Sequence, residues 1–169
     1  TNVSAMSPTY PNAIKFSIGV TNTCYYIDAS ASSYTSTINT ASQQWDNMNN
    51  KINNTHVSSN YATHIDIYAS TPSVDSNLNS NILAYTTIWS STGTQMYFFG
   101  IYDYFYTEIT LNQWGFGVDS RVVAHEFGHA YGLDENPENQ YSIMHPALSN
   151  MRVSSPQSVD NDTINYLYP

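Results

Sequence analysis

Residues His125-Glu126-Phe127-Gly128-His129 restrict this chain more than any other stretch, because they act as a unit only on an α-helix. A helix turns once in about 3.6 residues, so side chains four apart stand one above the other on one face. His125 and His129 are then close enough for both imidazoles to bind one metal ion, and zinc is the ion that such a pair suits. Glu126 flanks that face, where its carboxylate reaches a water on the metal without being a ligand itself. The competing reading is an ordinary helix whose histidines face solvent or accept hydrogen bonds in the core. Flanking residues favour a packed helix that holds metal. Asp119 or Ser120 can cap its N-terminus, and Val123, Phe127 and Ala130 form an apolar stripe opposite the histidines. Gly132 falls where a helix needs a left-handed residue to stop, which turns the chain back toward the metal. A third ligand is expected just beyond it, and Asp134 and Glu135 both offer a carboxylate there.

From His125 through Gly132 the chain resembles the metzincin zinc endopeptidases, whose motif is His-Glu-x-x-His-x-x-Gly-x-x-His followed by a turn built around a methionine. Glu135 stands at the third-ligand position in place of His, and snapalysin-like members carry Asp there. The resemblance therefore implies a zinc site of His125, His129 and Glu135, with Asp134 falling where the motif has no ligand. Tyr141-Ser142-Ile143-Met144-His145-Pro146 is similar to the methionine turn, with Met144 beneath the metal. Its Ser-Ile-Met-His part is astacin-like, whereas Pro146 matches the Met-Tyr-Pro turn of matrixins, so no tyrosine ligand is implied. Other segments also resemble matrixins. Ile65-Asp66-Ile67-Tyr68-Ala69 is similar to their central strand, Asn81-Ile82-Leu83-Ala84-Tyr85 to the edge strand that receives substrate, and Glu108-Ile109-Thr110-Leu111 to the strand before the catalytic helix. Residues 155–169 resemble their closing helix.

What the resemblance implies is an α+β catalytic domain, with a small twisted mixed β-sheet, three main helices and an active-site cleft, spanning residues 1–169 as one unit. The expected activity is zinc-dependent hydrolysis of peptide bonds through a zinc-bound water activated by Glu126. Substrate would run as an extended strand beside Leu83, Ala84 and Tyr85, and a pocket bounded by the turn, with Tyr141 and Pro146, would set the cleavage preference.

At 169 residues and 41% hydrophobic content the chain can bury one substantial core, which again points to a single domain. Thirteen acidic against four basic residues give a net charge of −9, which repels nucleic acid and anionic membranes. No run is long enough to span a bilayer. The partner expected is a protein or peptide substrate, acted on by a monomer. Cys24 is the lone cysteine, so no intrachain disulfide forms, and it is expected to be a buried structural thiol. Low charge density and abundant Asn, Ser, Thr and Tyr favour a secreted, extracellular protein. The chain starts at Thr1 without a basic or apolar leader, as expected of a processed form from which a signal peptide and any pro-segment are gone.

Elsewhere, Ile14, Phe16, Ile18 and Val20 alternate with polar or small residues, which predicts a first strand. Tyr34, Ile38, Ala41, Trp45, Met48 and Ile52 recur at helical spacing within residues 32–52, and the Asn-rich residues 47–60 read as a polar loop. Residues 90–107 are dense in aromatics and are expected to form extra strand and hairpin structure. A zinc-containing, non-catalytic binding module using the aromatic segment 97–106 as its surface is the alternative function. One catalytic zinc is the cofactor implied. A second zinc at His56 and His64, or calcium at Asp75, Asp103 or Asp119, is conceivable by residue type but is not indicated by spacing.

Overall fold

Strand β1 spans Thr23–Ile27, β2 Asn54–Val57, β3 Ile65–Ser70, β4 Ala84–Trp89, β5 Gln95–Met96 and β6 Tyr106–Asn112. They form one mixed sheet in the order β2-β1-β3-β6-β4-β5. The computed structural model describes residues 14–98, 102–114 and 117–169. β2, β1, β3 and β6 run parallel, while β4 is antiparallel to both β6 and β5. Ile65, Ile67 and Ala69 on β3 and Ile109 and Leu111 on β6 recur every second residue, so they share one face, and all are buried. That face carries the helices.

Helix α1 (Thr35–Met48) follows a 3₁₀ turn at Ala29–Tyr34 and buries Ile38, Ala41 and Trp45. Burying each such large apolar side chain contributes about 1.5–3 kcal/mol, enough to hold a helix whose first turn has no side-chain cap. The Trp45 indole N–H donates to the Ala124 carbonyl at 2.8 Å, which joins α1 to helix α2 (Ser120–Ala130). Helix α3 (Ser158–Leu167) closes the chain behind a capping box between Gln157 and Asp160, burying Val159, Ile164 and Leu167. A six-stranded mixed sheet with three helices is the α+β architecture that the sequence implied.

Three elements differ from expectation. Residues 14–20 are not a strand: Ile14, Phe16 and Val20 are buried, but Ile18 is 40% exposed and Gly19 turns at φ 75°. Gly19 N–H donates back to Phe16 O at 3.1 Å, so the segment folds as a turn over the core, and β1 opens the sheet instead. The helix expected over residues 32–52 ends at Met48, and Ile52 reaches the core from the connection beyond it. The Asn-rich stretch contains β2, an edge strand with exposed side chains that is held by main-chain pairing to β1.

Cys24 is also more open than expected. It is half-buried on β1, with Sγ 3.3 Å from Nδ1 of His64. The aromatic segment does contain a hairpin, with β5 pairing to Ile88 and Trp89. Tyr104 is fully buried and stacks on Phe16 at 5.3 Å between ring centroids, whereas residues 99–101 lie outside the described ones.

Candidate zinc site and active-site cleft

Helix α2 starts at Asp119, whose Oδ1 accepts from Arg121 N at 2.9 Å and Val122 N at 3.3 Å. Val123, Phe127 and Ala130 are buried against the sheet and α1, which leaves His125 and His129 on the opposite side. The helix ends where Gly132, at φ 98°, lets Leu133 N–H return to Gly128 O at 3.0 Å. This reversal brings the Leu133 carbonyl to 2.9 Å from His129 Nδ1. The Ile143 carbonyl lies 2.9 Å from His125 Nδ1. Carbonyls only accept, so each Nδ1 carries a proton, and with a metal bound each neutral ring would present the lone pair of Nε2.

Those lone pairs converge. His125 Nε2 and His129 Nε2 are 3.0 Å apart, and Glu135 Oε1 lies 3.5 Å from the first and 3.4 Å from the second. A triangle with sides of 3.0, 3.5 and 3.4 Å has a circumradius of about 1.9 Å, close to the zinc–ligand lengths of about 2.0–2.2 Å. Two neutral imidazoles and a carboxylate are a donor set that zinc takes, so the residues present fit the ion. Glu135 Oε2 is shut off from solvent and has no hydrogen-bond partner among the described residues. Burial pushes the Glu135 carboxyl up, but hydrogen bonds from His125 and His129 outweigh it and hold the group at about 2. For His129 burial acts downward, and the Glu135 hydrogen bond with the charges of Glu126 and Glu135 lifts it to about 9. Without metal, these two shifts favour an ion pair between His129 and Glu135. Asp134, the competing carboxylate, is exposed and accepts Glu135 N–H at 2.8 Å through Oδ1.

Glu126 sits between the two imidazoles in sequence and is 5% exposed. Thr86 Oγ1, on β4, lies 2.6 Å from its Oε2. Met144 is fully buried below, and a Cβ at Gly128 would collide with its Sδ. The turn that carries Met144 is braced from α3: Asp160 Oδ2 accepts Ile143 N–H at 3.1 Å, and the Ser142 hydroxyl donates to Asp160 Oδ1.

A cleft of about 760 Å³ runs past this group. Leu83, Ala84 and Tyr85 line it, together with Pro146, Leu148, Met151 and Val122. Tyr141 is not brought there; it is 56% exposed, outside the lining. Within the aromatic segment Phe98 lines the cleft, 6.1 Å from His129 by ring centroids, while Tyr97 and Tyr102 face outward. His56 stacks on Tyr25, and His64 Nδ1 accepts Cys24 N–H at 3.0 Å. Asp75 accepts from the Tyr85 hydroxyl, Asp103 from Lys15 N at 2.9 Å, and Asp119 serves as the helix cap. Sequence reasoning missed Thr86, Asp160 and His145, the last of which also lines the cleft. Thr86 alone left a signal: it lies two residues after Ala84, on the same strand face.

The family model described as matrixin matches residues 10–169. A search of curated proteins by sequence found no match. Among solved structures, the chain is similar to high choriolytic enzyme 1, a hatching-enzyme zinc protease of the medaka fish Oryzias latipes. That likeness has a TM-score of 0.54 at 16% identity, over 91% of this chain and 92% of that one. It is similar also to myroilysin, with a TM-score of 0.53 at 13% identity over 96% of both chains. At such identities these two likenesses speak for the fold, and the family match carries the activity. The chain belongs to the matrixin family, and is a zinc metalloendopeptidase of the metzincin clan.

Proposed function

We propose that this chain is an exported endopeptidase in which His125, His129 and Glu135 hold the catalytic zinc and Glu126 is the general base. The observation that carries the reading is the convergence of two imidazole nitrogens and one carboxylate oxygen within 3.5 Å of one another. Bound zinc supplies a Lewis acid that polarises the scissile carbonyl and makes water a competent nucleophile near neutral pH. Glu126 takes the proton of the attacking water and then passes it to the leaving amine, so one carboxylate serves both halves of the reaction. Its position one residue after His125 places it beside the ligands, where it lines the cleft.

Substrate is held as an added strand. β5 pairs with β4 only at Ile88 and Trp89, so among the described residues the edge at residues 84–87 is free for main-chain pairing. Val122, Leu148 and Met151 give the cleft an apolar surface suited to a hydrophobic side chain next to the cut. Export is supported by a charged content of only 10% with abundant Asn, Ser, Thr and Tyr. The chain acts as a single catalytic domain and a monomer.

Purified protein should degrade casein, stop when a chelator removes the metal, and recover with added zinc. Glu126→Ala should keep one zinc yet lose about 10² to 10⁴ of the rate. Stoichiometric zinc with no cleavage of any unfolded substrate would turn the reading toward a binding module, and a zinc-free active protein would end it.

A further inference from the structure

Thr86 Oγ1 lies 2.6 Å from Glu126 Oε2 and 3.2 Å from the Glu126 carbonyl. A hydroxyl has one proton to give, and a carboxylate is the stronger acceptor, so the donation goes to Oε2. Thr86 is well placed to hold what it binds. It is β-branched, which limits its rotamers, and it sits on a strand paired in register with Ile109 of β6. Glu126, by contrast, hangs on three side-chain torsions and lies next to His125 in the chain. A carboxylate free to turn there would be drawn onto a cation between the imidazoles and become a ligand.

The strand adds a second point. Asn112 N–H donates to Leu83 O at 2.8 Å, and the antiparallel alternation then turns the main-chain groups of Ala84 and Thr86 away from β6 toward the free edge. Thr86 therefore presents its backbone where substrate docks and its side chain where proton transfer occurs.

We propose that Thr86 is a positioning residue, whose hydroxyl holds the Glu126 carboxylate off the metal position from the same strand that receives substrate. This rests on Glu126 being the proton acceptor. Thr86→Val keeps the shape and removes the donor; its kcat should fall about tenfold while KM and zinc content stay within twofold. Thr86→Ser restores the donor and should recover kcat to within about threefold of wild type. On a Glu126→Ala background, Thr86→Val should change the residual rate by less than about twofold, because the group it positions is gone. Crystals of metal-free Thr86→Val should show the Glu126 carboxylate rotated away from β4. If Thr86→Val does not fold, Thr86→Ala is read in the same way. Full kcat in Thr86→Val, a serine variant as impaired as the valine one, a change confined to KM, or an undiminished effect on the alanine background would each overturn the role. An active Glu126→Ala sinks the base assignment and this role together; an inert Glu126→Ala beside a fully active Thr86→Val sinks only the role of Thr86.

Discussion

Asp160 and Ile143 are joined by a hydrogen bond of 3.1 Å, from the main-chain N–H of one to the carboxylate of the other, and the carbonyl of that same Ile143 lies 2.9 Å from His125 Nδ1. A fully buried acid on the closing helix thus orients the His125 imidazole, a candidate metal ligand on another helix, through a single residue. Gln157 N and the Ser142 hydroxyl donate to the same carboxylate, which offsets the cost of burying its charge.

Asp160→Asn should therefore do more harm than its size suggests. The amide has one accepting oxygen where the carboxylate has two, so its NH₂ group must face a buried donor. Leaving a buried donor unmet costs about 1–3 kcal/mol, which for a chain of this length lowers the melting temperature by roughly 2–4 °C per kcal/mol. Asp160→Ala, which removes both accepting oxygens, should lower zinc affinity about 10- to 100-fold, since His125 loses its brace. Thermal melts of the metal-free protein and a zinc titration measure the two effects. An unchanged melt would show that the network adds nothing.

Glu135 and Asp134 can be told apart by metal content. Glu135→Ala should weaken zinc binding by more than about a hundredfold, beyond what the loss of an orienting partner costs. Asp134→Ala should stay within about threefold, since its carboxylate binds the next main-chain N–H. Glu135→His should retain zinc. Retention in Glu135→Ala with loss in Asp134→Ala would transfer the ligand role.

Gly128 is tightly packed between Met144 and Trp45, and a methyl group there meets Met144 Sδ head-on. Gly128→Ala should destabilise the fold by about 1–3 kcal/mol through overpacking, with Met144 pushed toward the metal site. Met144→Leu alone should cost less than about 1.5 kcal/mol. Combining Gly128→Ala with Met144→Val should cost less than the sum of the single changes, because the shorter side chain vacates the clash. Denaturant melts of wild type, Gly128→Ala, Met144→Val and their double variant decide this, and strict additivity would mean that the two residues do not collide.

Glu108 on β6 stands opposite Asp66 on β3. Burial raises its pKa, the Tyr106 hydroxyl at 3.3 Å opposes that, and the Asp66 charge adds to the rise. A carboxyl raised in the fold favours its neutral form there. Its ionisation therefore weakens the fold at pH values above the raised pKa, and this penalty fades as the pH falls through it. Glu108→Gln should raise the melting temperature at pH 7, with the gain shrinking in acid. A gain that stays constant with pH would show that ionisation is not its cause.

Much of the candidate metal site's geometry was legible in the chain because its determinants are local. His125 and His129 share a face by helical geometry, Asp119 caps that helix, and Gly132 reverses it, all within the reach of about four turns. Glu135 follows so closely that the reversal carries it back to the imidazoles. The strand face of Ile65, Ile67 and Ala69 was likewise readable from its period of two.

Other features depend on partners far away in sequence. Residues 14–20 alternate as a strand does, yet with a bridge to Tyr104 at Phe16 alone, burial went to a turn and the ladder to β1. β2 carries no apolar pattern because main-chain pairing to β1, and not side-chain burial, holds an exposed edge. The exposure of Tyr141 was set by how the methionine turn packs on α3, through Asp160, eighteen residues from Ser142. Thr86 meets Glu126 across forty residues, only because β4 lies antiparallel at the edge beneath α2. By itself, then, the sequence determined the ligand-bearing helix and its sharp end, where short-range backbone geometry suffices. Tertiary structure decided what surrounds them, because strand order and register bring together groups whose contact no local pattern encodes.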